Sequence, residues 1–182
     1  MMQRRGGFLY PVGVGLLLGL LQTGLLLQLS FTLSSGFGTY LLLTVCWLTG
    51  GALGVLYGRK LPMTLNQWML VSLVGYLICN TALMLLPFET RLTPLYGILI
   101  VLMGVYPGVF FAEQSQSMRA SRLFFHENNG FIAGLVVGTL GYALLGRTFA
   151  WGAPLVIAAL ISIAFQRIRA RDHVVNEARH IS

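Results

Sequence analysis

Long, continuously apolar runs separated by small clusters of positive charge constrain this chain more than any other feature. A helix needs about 20 apolar residues to cross a hydrocarbon core roughly 30 Å thick. Six such runs are read from the sequence: Leu9–Leu29, Tyr40–Tyr57, Trp68–Leu86, Pro94–Ala112, Gly130–Leu145 and Trp151–Phe165. They are apolar throughout rather than at every second residue, so helices are expected and a barrel is not. Hydrophobic residues make up 56% of the chain and charged residues 9%, too few charges to cover a water-soluble surface. The expected fold class is an all-α membrane protein with six transmembrane helices over 1–166 and a basic tail over 167–182.

The twelve Lys and Arg residues then set an orientation. Arg4, Arg5, Arg59, Lys60, Arg119, Arg122, Arg167, Arg169, Arg171 and Arg179 fall on one side of a six-span chain, and only Arg91 and Arg147 on the other. The Lys- and Arg-rich side of a membrane protein is cytoplasmic. Both termini are therefore expected in the cytoplasm, in a bacterial inner membrane. The net charge of +7 is read as attraction to an anionic inner leaflet, with no nucleic-acid partner. Arg4 and Arg5 before a long apolar run, with no small-residue cleavage site after it, read as an uncleaved signal anchor. Cys46 and Cys79, near the middle of spans, read as packing residues.

Twenty-two glycines in a mostly helical chain need a reason. Three spans carry small residues four apart: Gly15, Gly19 and Thr23; Gly50, Gly54 and Gly58; Gly130, Gly134 and Gly138. Such stripes let backbones approach closely, which matters in lipid, where helix association relies on packing. They are read as helix-packing faces, and spacing leaves open whether the partner is the same chain or a second subunit. In addition, Gly51-Ala52-Leu53-Gly54 before Gly58-Arg59 parallels Gly138-Thr139-Leu140-Gly141 before Gly146-Arg147. The two segments end on opposite sides of the membrane, as a three-plus-three inverted repeat requires.

The stretches Leu27-Gln28-Leu29-Ser30-Phe31-Thr32, Ser35-Gly36-Phe37-Gly38-Thr39-Tyr40 and Thr49-Gly50-Gly51-Ala52-Leu53-Gly54, followed by Gly58-Arg59, resemble the first two helices of the integral-membrane domain of spermidine-synthase-like proteins. Gly104-Val105-Tyr106-Pro107-Gly108 and His126-Glu127-Asn128-Asn129-Gly130-Phe131-Ile132-Ala133-Gly134 are similar to its fourth and fifth helices. The resemblance implies a six-helix module like half of a major-facilitator protein, often joined to a cytoplasmic synthase domain. Two departures limit it. Gln28 and Thr32 stand where that family carries an acid and an arginine, and the residues after Phe165 are too few for a catalytic domain. Aminopropyl transfer is not expected.

No catalytic, cofactor or metal constellation is read. The acidic residues Glu89, Glu113, Glu127, Asp172 and Glu177 are placed at helix ends, in loops or in the tail, outside the membrane core where a carboxylate would suggest an ion path. His126, His173 and His180 are placed in cytoplasmic positions, which disfavours haem ligation across the membrane. Gln22, Gln28, Tyr76 and Asn80 are read as interhelical hydrogen-bonding groups, with a polar pocket as the sharper alternative. Residues 113–129 are read as the longest cytoplasmic loop, with Asn128 or Asn129 capping the fifth helix. Its Glu113, Arg119, Arg122, His126 and Glu127 form either a solvated surface or a docking site.

Two functions follow. The first is a non-enzymatic membrane module that packs with itself or with another membrane subunit in a larger complex. The alternative is a half-size transporter that forms a small-solute pathway on dimerisation.

Overall fold

The computed structural model describes residues 8–33 and 36–181, with side chains for all of these except Arg59 and residues 165–181. Arg4, Arg5 and the side chains of Arg59, Arg167, Arg169, Arg171, Asp172, His173, Glu177, Arg179 and His180 therefore lie outside the described part. Six α-helices account for most of it: α1 (Leu9–Thr32), α2 (Phe37–Tyr57), α3 (Leu65–Leu85), α4 (Thr93–Gln114), α5 (Ala120–Leu145) and α6 (Arg147–Ile181). All six contain a stretch long and apolar enough to cross a membrane, the last over Arg147–Ala164. Among the described residues there is no strand.

Local chemistry explains where several helices begin. The Thr64 hydroxyl accepts from the Gln67 backbone N–H while the Thr64 N–H donates to the Gln67 side-chain Oε1, a reciprocal cap that starts α3. Pro94 stands in the first turn of α4, where a missing N–H costs nothing. A single residue, Gly146, joins α5 to α6 at φ +63° and ψ −146°, a conformation open almost only to glycine.

The fifth helix begins ten residues earlier than the sequence reading placed it, at Ala120 rather than Gly130. Asn128 and Asn129 are exposed residues inside α5 rather than caps, and the α4–α5 connection shrinks to 115–119. The physical reason is a continuous face. Leu123, Glu127, Gly130, Gly134 and Gly138 repeat at helical spacing and are all buried, so the helix that packs the glycines extends upstream through the polar residues.

The glycine stripes meet helices of this same chain. α1 packs most extensively on α5, and α2 on α4, with α3 beside α4 and α6 beside α1. A Cβ at Gly15 would fall on the Glu127 carbonyl oxygen, one at Gly19 on the Phe131 carbonyl, and ones at Gly130 and Gly134 on the carbonyls of Val12 and Leu16. The second crossing repeats the first contact by contact. Gly104 meets the Trp47 carbonyl, Gly108 that of Gly51, Gly50 that of Val101 and Gly54 that of Val105. The contacts advance together along both chains in each pair, so the paired helices run parallel. Gly58 meets the Val109 side chain, and Gly138 meets Thr23 and Leu20.

Two prolines inside helices, Pro107 and Pro154, each leave the carbonyl four residues earlier without its N–H partner. Both orphans are satisfied from α3. Ser72 Oγ donates to the Met103 carbonyl at 3.2 Å, and Tyr76 OH donates to the Ala150 carbonyl at 2.8 Å. A carbonyl left unmet in the bilayer core is unfavourable, so these two hydroxyls, one turn apart, let α4 and α6 keep their prolines. Gly24 on α1 leaves the space that the Tyr76 hydroxyl occupies.

Candidate functional site: an acid-lined cleft between two helix pairs

The α1–α5 pair and the α2–α4 pair touch each other only sparingly, and a cleft of about 250 Å³ lies between them. Its wall is built from Leu18 on α1, Trp47 and Gly51 on α2, Pro107 and Phe111 on α4, and Glu127 and Phe131 on α5, among others. Glycines explain why there is space. Gly51 and Gly108 bring no side chain to the wall, and Pro107 lies beside Gly108 in the α4 backbone that packs on α2.

Among the described residues on this wall, Glu127 is the one that ionises. It is 8% exposed, lies two turns into α5, and its backbone carbonyl is held against Gly15 at the α1–α5 crossing. Its carboxylate makes no hydrogen bond or ion pair with any described residue. This corrects the sequence reading of Glu127 as a loop residue, since it lies inside α5 on the buried face. The helical period, carried by Leu123 and the glycines, was the signal that could have placed it on the buried face. A carboxylate on apolar walls without a fixed counter-charge is expensive to keep, and what such a group offers chemically is a negative site for a cation or a proton.

The remaining candidates scatter. Gly15, Gly19, Gly50, Gly54, Gly130 and Gly134 are spent on the two intramolecular crossings, and Gly58 and Gly138 on side-chain contacts within the chain. Gln22 is half-buried, while Gln28 is buried with its side-chain carbonyl oxygen unpaired. Asn80 donates to the Tyr76 backbone carbonyl at 2.8 Å, and Tyr76 serves Ala150. None of these four residues lines the cleft.

The docking cluster is likewise divided. Glu113 ends α4 half-buried, Arg119 and Arg122 are exposed at the start of α5, and the His126 ring packs near Phe8 and Phe125 at centroid separations of 5.9 and 5.6 Å. Glu127 points away from that surface by being buried. Cys46 and Cys79 are free thiols, and among the described residues no group of three His, Cys, Asp or Glu is placed to hold a metal ion.

The fold and the cleft stand on the chain's own residues. No protein-family model matches the chain, and comparison with curated proteins and with solved structures returns no match; the likeness to the membrane domain of spermidine-synthase-like proteins rests on the sequence motifs alone.

Proposed function

We propose that this chain is a multi-pass membrane protein that works as half of a transporter, two copies enclosing one small-solute pathway. The observation that carries the reading is the cleft between α1, α2, α4 and α5 with Glu127 on its wall. The glycine stripes, which a pure assembly module would present to another subunit, are occupied inside the chain. A three-plus-three inverted repeat supports the same reading. Exchanging α1–α3 for α4–α6 carries Gly15 and Gly19 onto Gly104 and Gly108, and Gly50 and Gly54 onto Gly130 and Gly134, and every carbonyl contact of one crossing onto its counterpart. On this reading the repeat pairs Gly50 with Gly130, rather than Gly51 with Gly138 as in the sequence match. Transporters built from such repeats bind near the repeat interface, and this cleft lies between the two repeat-related pairs. The Arg and Lys distribution supports a reading with both termini in the cytoplasm.

The test joins mass and permeation. The purified chain in mild detergent is expected to be a homodimer, and its proteoliposomes to pass glycerol or tetraethylammonium faster than empty liposomes. A monomer, or a dimer whose liposomes pass neither solute, overturns the proposal. A stable complex with other membrane subunits would return the weight to a packing module in a larger assembly.

A further inference from the structure

We infer that the cleft between α1, α2, α4 and α5 binds a small monovalent organic cation, with the Glu127 carboxylate as its counter-ion and Trp47, Phe111 and Phe131 as its aromatic wall. The site is formed by one chain, so it requires neither dimerisation nor transport.

Four observations carry this. The first is space, because about 250 Å³ falls just below the roughly 300–1,000 Å³ of sites for drug-sized ligands and suits a compact occupant. The second is charge. Glu127 is more than nine-tenths buried, lines the cleft and has no partner among the described residues. In an apolar surrounding such a carboxylate gains most from an arriving cation.

The third is the character of the wall. Among the described residues the wall apart from Glu127 is aliphatic, glycine or aromatic. A metal ion needs several oxygen or nitrogen ligands to replace its water, and one carboxylate cannot supply them. An alkylammonium gives up its weakly held water readily and is attracted to aromatic rings within about 6 Å. The fourth is rigidity, since the Glu127 backbone is locked at the Gly15 contact and the Trp47 backbone at the Gly104 contact. The acid and the largest aromatic residue are therefore held in fixed positions on opposite helix pairs.

The test is equilibrium dialysis of radiolabelled tetraethylammonium against the purified full-length chain in detergent. Saturable binding at one site per chain is expected. Glu127→Gln should weaken it at least tenfold, Glu127→Asp less, and Trp47→Leu a few-fold. Absence of saturable binding, or equal binding by wild type and Glu127→Gln, overturns the inference.

A second measurement does not depend on any variant folding. Dicyclohexylcarbodiimide reacts with carboxyl groups in apolar surroundings, and mass spectrometry locates the adduct. Tetraethylammonium should slow labelling at Glu127 in the wild-type chain, and unaltered labelling at saturating cation overturns the inference. Binding without permeation would leave this site standing while removing the transport proposal, and permeation without Glu127-dependent binding would do the reverse.

Discussion

The α1–α5 and α2–α4 crossings share the same four-glycine, carbonyl-to-Cα geometry, yet at corresponding positions one presents Glu127 and the other Trp47. Both residues have their carbonyl pressed against a glycine of the neighbouring helix, Gly15 for Glu127 and Gly104 for Trp47. Both also line the same cleft. The comparison separates two roles. Glycines fix where the backbones lie, because a close crossing tolerates no Cβ, and they leave the side chain at the crossing free to diverge. The difference puts an acid on one wall and an indole on the facing one, which suits the cation site proposed above.

The same lesson holds for the second cavity. The groove of about 620 Å³ between α1, α5 and α6, lined by Leu16, Val137, Phe149 and Val156 among others, carries no charged residue among the described ones. It has more room and less chemistry, so it offers nothing that would select one apolar occupant over lipid.

The sharpest way to break the equivalence of the crossings is to overfill each. Gly134→Val and Gly104→Val should each cost about 3 kcal/mol or more, at the upper end for overpacking because backbone must move. Unfolding titrations in mixed detergent should show similar losses, and a large inequality would mean that only one crossing holds the fold. Next come the diverged residues, whose substitutions should have opposite signs. Glu127→Leu removes a buried carboxylate that pairs with no described residue and should stabilise by about 1–3 kcal/mol, whereas Trp47→Leu should destabilise by about 2 kcal/mol through lost packing. Melting temperatures moving in the same direction would contradict the contrast.

The proline carbonyls give a smaller test. Tyr76→Phe leaves the Ala150 carbonyl unmet and should cost about 1 kcal/mol. Ser72→Ala, which removes the longer bond to Met103, should cost about 0.6 kcal/mol. Equal costs would show that water or another group serves Ala150 when the phenol is gone.

Much of the fold was legible before the structure. Apolar run length is set by bilayer thickness, so four of the six helices fall close to their expected places, while α5 begins ten residues early and α6 runs on to Ile181. The three glycine ladders were also legible as packing faces, because nothing else explains small residues at four-residue spacing in helices. Their partners were not. Gly104 and Gly108 stood in a family-like motif, and nothing local ties them to Gly50 and Gly54 rather than to another subunit. The cleft was misread for a related reason. The polar stretch Glu127-Asn128-Asn129 looks like a loop by composition, but Glu127 faces inward on α5 while the two asparagines face out. Ser72 drew no notice, since its role exists only where α3 passes the carbonyl that Pro107 releases.

The sequence by itself determined that the chain forms helices of membrane-spanning length, where most of them begin and end, and which faces can approach closely. Those properties follow from hydropathy, turn chemistry and side-chain size, which act over neighbouring residues. Only the tertiary structure decided that α1 pairs with α5 and α2 with α4, that Ser72 and Tyr76 serve the two proline-freed carbonyls, and that Glu127 shares a wall with Trp47. Those are contacts between residues far apart in the chain, and several arrangements of six apolar helices satisfy the same local rules. The one adopted is the one in which every glycine stripe finds a backbone to lie against.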